Sequence, residues 1–119
     1  MDITEFVKAR LDEDEAAAKA ALESEWFAHV TEFASANHYD TFGDLAVEYW
    51  QWFPGEADGV HVAHHDPARV LREVAAKRAI LALADAGEGY AYSVAMERVV
   101  VQLAAVYSDH PDYRAEWRP

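Results

Sequence analysis

The chain contains no cysteine and little of what carries recognisable chemistry. Without cysteine, its 119 residues hold no disulfide, no thiolate metal ligand and no thiol nucleophile. Neither a phosphate-binding loop nor a dinucleotide-type glycine motif is present, and no serine lies in a Gly-x-Ser-x-Gly elbow. The acidic start Met1–Glu5 lacks the pattern of a signal peptide, and no apolar run approaches the roughly 20 residues that span a bilayer. We therefore expect one soluble cytoplasmic domain over residues 1–119 that requires no cofactor.

Positive charge is also scarce, above all in the first half of the chain. The net charge is −12, and residues 1–59 hold 14 of the 22 acidic residues but only three of the ten basic ones. Such a chain repels phosphate backbones, which argues against direct nucleic-acid binding. It attracts basic protein surfaces, and it also stays soluble through its acidity alone.

The patterns of apolar residues predict an all-α fold of four or five helices. Asp2 and Glu5 have the spacing of a capping box, and an apolar stripe follows them. This first helix either breaks near Ser24 or continues through Val30 and Phe33, because no glycine or proline precedes Gly43. The stripe consists of Ile3, Phe6, Val7, Leu11, Ala18, Leu22 and Trp26.

The middle of the chain is ambiguous. Thr41 and Asp44 have capping spacing ahead of an apolar helical face, which favours a helix. The β-forming residues between Val47 and Phe53 leave a short β-hairpin within residues 26–53 as an alternative.

Two further helices are indicated after residue 65. Asp66 is a good N-cap, and Pro67 suits the first helical position, where its missing N–H costs nothing. We expect this helix to bury Val70, Leu71, Val74 and Leu81 and to end at Gly87 or Gly89.

The last long helix, from about Tyr90 to Tyr107, is apolar on nearly every side, which predicts either a central helix or a subunit interface. Tyr113 and Trp117, four residues apart, are expected to pack one short helical turn against the body. The predicted main stripe of the long helix is Tyr92, Met96, Val99, Leu103 and Val106, with Val94, Val101, Ala104 and Ala105 on its back.

Three segments carry a family resemblance: the start 1–15, the centre HVAHHDPARVLRE (61–73) and the end YSDHPDYRAEWRP (107–119). Together they resemble a domain of unknown function found in small proteins of actinobacteria and their phages. The resemblance implies an actinobacterial or phage origin and a cytoplasmic protein. The chain departs from the pattern at His64, where a basic residue is expected, and in a middle segment richer in alanine and aromatics. The matching positions are His61, His65, Asp66, Pro67, Arg69, Asp109, His110, Pro111, Tyr113 and Trp117.

The histidines are the main candidates for chemistry. Imidazole and carboxylate are suitable zinc ligands, so His61, His65 and His110 are candidates for a metal centre. The simpler interpretation is that the first two cover the start of a helix capped by Asp66. We also expect His110 or Tyr113 to hydrogen-bond near Asp66 and so hold the tail in place.

Taken together, these features favour a non-enzymatic module that binds another protein or regulates it. The interface residues would include Trp50, Trp52, Val101 and Ala105, with a homodimer through the last helix as one form. One alternative is an acidic DNA mimic that uses the first helix to inhibit a basic, nucleic-acid-binding partner. Another is a small histidine-based metal-dependent enzyme. The basic side chains Arg69, Arg72, Lys77, Arg78 and Arg98 are expected to pair with the acidic first half.

Overall fold

The computed structural model describes residues 1–24 and 65–119, which form three α-helices and one short 3₁₀ helix without any strand. The predicted all-α class is confirmed for these residues, whereas the count of four or five helices stays a prediction. The alternative hairpin, His61, Trp50 and Trp52 lie outside the described residues. Within the described ranges, no helix has both the length and the apolarity needed to cross a membrane.

Helix α1 (Ile3–Leu22) begins with the predicted capping box. The backbone N–H of Asp2 donates to Glu5 Oε2 at 2.9 Å, and the N–H of Glu5 donates to Asp2 Oδ1 at 2.8 Å. These reciprocal bonds satisfy donors that have no partner inside the helix. Of the two ends predicted for this helix, the structure has the one near Ser24. The Ser24 hydroxyl donates to the carbonyl of Ala21.

Helix α2 (Pro67–Ala84) starts where its sequence predicts. The N–H of Arg69 donates to Asp66 Oδ1 at 2.8 Å, so Asp66 is the N-cap and Pro67 the first helical residue. Of the predicted stripe, Val74 and Leu81 are buried, whereas the other two members, Val70 and Leu71, are partly exposed.

Helix α3 (Tyr90–Ala105) follows a turn that needs glycine. Gly89 has φ +99° and ψ 155°, a backbone region that side chains with a β-carbon rarely enter. The ring of Tyr92 lies so close to Gly87 that a β-carbon there would overlap it. The Tyr92 hydroxyl donates to the carbonyl of Leu83, which ties the start of α3 to the end of α2.

The predicted stripe of α3 was wrong by one residue position. Val100 and Ala104 are the buried residues of this helix, one position after the predicted Val99 and Leu103. Val99 and Val106 are 36% and 60% exposed. Because this helix is apolar almost all round, its residue pattern does not single out one buried side. The contacts with neighbouring elements determine which side is buried.

The chain forms two compact units, residues 1–14 with 73–119 and residues 15–72. The first unit contains most of the buried apolar residues of the described chain: Phe6, Val7, Leu11, Val74, Leu81, Val100, Ala104 and Trp117. In the described part of the second unit, Ala18 is buried on α1 and Asp66 caps α2. The expectation of a single domain over residues 1–119 stays a prediction.

Candidate functional site

The C-terminal tail, residues 107–119, packs against the start of α1 around one phenylalanine. Phe6 is fully buried, and four rings of the tail surround it. The distance from the centroid of the Phe6 ring to that of the neighbouring ring is 5.1 Å for Trp117, 5.7 Å for His110, 5.9 Å for Tyr113 and 6.4 Å for Tyr107. Three of these contacts are edge-to-face, the arrangement that aromatic quadrupoles favour. The predicted packing of Tyr113 and Trp117 against the body is therefore observed, with a 3₁₀ turn (Ala115–Trp117) at the end of the tail.

A buried arginine joins α1 to this tail. Arg10 is 7% exposed, and its guanidinium lies 5.2 Å from the ring centroid of Phe6. Its Nη1 donates to His110 Nδ1 at 2.7 Å and also contacts His110 Nε2, while Nη2 donates to Glu13 at 3.0 Å. Because arginine can only donate, His110 accepts with a ring lone pair. The Nε of Arg10 and the hydroxyl of Tyr113 are buried and have no hydrogen-bond partner among the described residues.

All four acids of the block Asp12–Glu15 have intramolecular partners. Successive helical residues point in directions about 100° apart, so the four carboxylates reach different neighbours. The contacts are Asp12 with Arg78 at 2.7 Å, Glu13 with Arg10 at 3.0 Å, Asp14 with the Tyr107 hydroxyl at 2.7 Å and Glu15 with Lys19 at 2.7 Å. The expected pairing of the acidic first half with basic residues of the second is thus observed for Arg78.

The hydrogen bond between Tyr107 and Asp14 has an electrostatic consequence. Partial burial raises the pKa of the Tyr107 hydroxyl well above its usual range, and the hydrogen bond to the Asp14 carboxylate raises it further. The charge of Arg10 acts in the opposite direction but is weaker. The Tyr107 hydroxyl is therefore held as a neutral donor to Asp14.

A pocket of about 450 Å³ opens beside the tail, between the start of α1 and helix α3. Val100 and Trp117, both buried, and the partly exposed Val101 contribute apolar surface to its lining. Its described lining consists of Ile3, Thr4, Ala84, Ser93, Met96, Glu97, Val100, Val101 and Trp117. A mostly apolar lining with a few polar groups is typical of sites that bind ligands or partner side chains.

The polar groups of this pocket differ from those around the tail in their hydrogen bonding. Glu97 is the one charged side chain of the described lining, and Thr4 and Ser93 contribute hydroxyls. Within residues 1–24 and 65–119, none of the three makes a side-chain hydrogen bond or ion pair. Glu97 and Val101 also line an adjacent pocket of about 420 Å³, together with Arg98, Gln102, Arg118 and Pro119.

The predicted site residues that the structure describes are divided between the two compact units. His65 is exposed ahead of α2, Asp66 and Arg69 form its cap, and Asp109 and Pro111 are exposed on the tail. Of the predicted interface residues, Val101 lines the pocket and Ala105 is partly exposed on α3. No three potential metal ligands come together in the described residues. Since His61 lies outside them, the metal centre stays a prediction.

The expected hydrogen bond from the tail to Asp66 was wrong. Both ring nitrogens of His110 contact Arg10, and the Tyr113 hydroxyl has no hydrogen-bond partner within residues 1–24 and 65–119. Arg10 was not predicted to be a site residue, although it lies one helical turn after Phe6, within the apolar stripe. A charged residue at such a position signals a buried partner, because unpaired buried charge is costly.

Comparison with known protein families gives a match over the whole of the given chain. A family model, described as a family of unknown function (DUF6221), matches residues 1–119. The chain belongs to the DUF6221 family. The resemblance read from the sequence is therefore confirmed at the level of the family, while the actinobacterial or phage origin stays a prediction. No curated protein and no solved structure matches this DUF6221 chain.

Proposed function

We propose that this DUF6221 protein is a non-enzymatic module that binds a basic protein partner through the side of α3 that carries Val101 and Ala105. The open apolar pocket beside Val101 is the observation that carries the proposal. Its volume falls within the roughly 300–1,000 Å³ typical of binding pockets. A partner side chain that filled it would remove the surfaces of Met96 and Val101 from water.

The exposed apolar residues of α3 support the same assignment. Tyr90 is 87% exposed, Val106 60% and Val99 36%, so α3 presents apolar side chains to solvent on more than one side. Single exposed apolar residues are common, but several on one helix beside an apolar pocket are typical of an interaction surface.

Charge favours a basic partner over a second copy of the chain. The net charge of −12 makes two copies repel each other, whereas it attracts a positively charged surface. Two described polar groups that a reaction could use are bonded to other side chains, His110 to Arg10 and Asp14 to Tyr107. The same engagement of the acidic block weakens the case for a DNA mimic built on α1, which stays a prediction.

The test compares two charge-introducing variants of α3. Val101→Arg places a cation beside the pocket, and Ala95→Arg places one on an exposed position outside the described lining. We expect the wild-type chain and Ala95→Arg to retain the same basic protein from a host lysate, and Val101→Arg to lose it, because the added cation repels a basic partner. Thermal melting of both variants checks that the fold persists.

Retention of the same partner by Val101→Arg would contradict the proposed surface. Sedimentation analysis of the purified chain supplies the second measurement. A wild-type dimer that Val101→Arg converts to a monomer would replace the basic partner by a second copy of the chain.

A further inference from the structure

We propose that the pocket between α1 and α3 receives a lysine side chain of the partner, together with an apolar side chain next to it. This inference rests on the proposed function and names the chemistry that the pocket recognises. A lysine combines a four-carbon apolar stem with a compact ammonium group, and the described lining contains the counterpart of each part.

The ammonium group matches the unpartnered polar atoms of the pocket. It has three N–H donors and no acceptor. Glu97 supplies a carboxylate, and Thr4 and Ser93 supply hydroxyl oxygens, all without side-chain partners within the described residues. An incoming donor thus breaks no existing contact of these side chains. An acidic side chain, in contrast, would be repelled by Glu97.

The apolar part of the pocket matches the stem and its neighbour. Trp117, Met96 and Val101 provide an indole, a thioether and a branched aliphatic surface. The volume of about 450 Å³ exceeds that of a single lysine side chain, so a flanking apolar residue of the partner enters as well.

The arrangement also gives the partner segment a direction. Arg98 and Arg118 line the adjacent pocket, which shares Glu97 and Val101 with this one. A cationic group is therefore favoured at Glu97 and disfavoured one pocket further along α3. The lysine of the partner lies at the Glu97 end of the surface.

Capped tripeptides test this assignment on the full-length chain. The probe has the sequence leucine-lysine-leucine, and the controls replace lysine by norleucine, which keeps the stem without the charge, or by glutamate. Binding is followed through the NMR methyl signals of Ile3, Met96 and Val101. We expect saturable shifts with the lysine peptide, binding roughly fivefold weaker with norleucine, the scale of a surface ion pair, and none with glutamate.

The Glu97→Gln variant separates recognition of charge from binding of the apolar stem. It should weaken the lysine peptide roughly to the level of the norleucine peptide and leave the norleucine peptide unchanged. Glu88→Gln, an exposed change just before α3, should alter neither.

Several results would overturn the lysine assignment. They are equal binding of the lysine and norleucine peptides, binding of the glutamate peptide, or shifts that spread over the surface and persist in Glu97→Gln. None of them affects whether Val101→Arg releases the captured partner, so failure of the lysine assignment and failure of the proposed function are distinguishable.

Discussion

The two sides of the tail use similar residue types in different ways. On the side that meets α1, Arg10, Glu13 and Asp14 are all bonded to other side chains, and Phe6 is enclosed by four rings of the tail. On the side that meets α3, Trp117 helps to form a pocket whose carboxylate and hydroxyls have no partners within the described residues. A single short segment thus completes a core and also shapes a surface.

The difference separates stability from recognition. Buried polar groups that have lost their partners cost free energy, so the groups around Arg10 are expected to matter for folding. Exposed polar groups remain hydrated in the unbound protein, so those of the pocket are expected to matter only when a partner arrives. Substitutions on the two sides should therefore change different measurements.

Replacement of Phe6 should have the largest effect on stability. Phe6→Ala removes the ring at the centre of the tail contacts and leaves a cavity, so we expect a loss of about 3–5 kcal/mol in the free energy of unfolding. Urea denaturation of this variant measures the loss, with Tyr90→Ala as an exposed aromatic control. A loss below about 1 kcal/mol would mean that the tail does not depend on this ring.

Removal of the His110 ring should have the next largest effect. His110→Ala leaves the buried guanidinium of Arg10 without one of its acceptors, so we expect a loss of about 1–3 kcal/mol. Asp109→Ala, an exposed change one residue earlier, serves as the control in the same denaturation experiment. Equal stability of the two variants would show that the contact between Arg10 and His110 is dispensable.

Tyr107 should make stability sensitive to alkaline pH. Its pKa is raised in the folded chain, so its contribution is complete below about pH 10, the ordinary pKa of tyrosine, and is lost as the pH rises above that value. We expect Tyr107→Phe to be about 1 kcal/mol less stable than the wild type at pH 8, the scale of one hydrogen bond. The difference should shrink above pH 10, whereas Tyr90→Phe should follow the wild type throughout. A constant difference would refute this role.

Substitutions in the pocket should have the smallest effect on stability. Glu97→Gln and Ser93→Ala remove groups without partners in the described structure, so we expect changes within about 0.5 kcal/mol in urea denaturation. Destabilisation as large as that of His110→Ala would mean that these groups support the fold, and the contrast between the two sides would not hold.

Local signals in the sequence predicted the helix starts well. The capping box of Asp2 and Glu5 and the start at Asp66 and Pro67 depend on residues at most three apart, and both are found in the structure. Such motifs are readable because their partners lie within a single helical turn.

The contacts between distant segments were harder to predict from the sequence. The buried side of α3 was misplaced by one residue, because valines and alanines occur on all its sides and only neighbouring elements select one. The partner of the tail was misidentified for a similar reason, since nothing local to His110 indicates Arg10. The pocket itself was not predicted, although Val101 was a candidate interface residue, because a cavity depends on how four separate segments come together.

The contact between Phe6 and Trp117 also bears on how the protein is made. The two residues lie more than a hundred positions apart, so helix α1 has left the ribosome long before the residue that covers Phe6 is added. The nascent chain therefore exposes the ring of Phe6 until Trp117 has been synthesised, and the first unit finishes folding only after that step. A chain truncated before Ala115 would leave this ring uncovered, and quality control should degrade it.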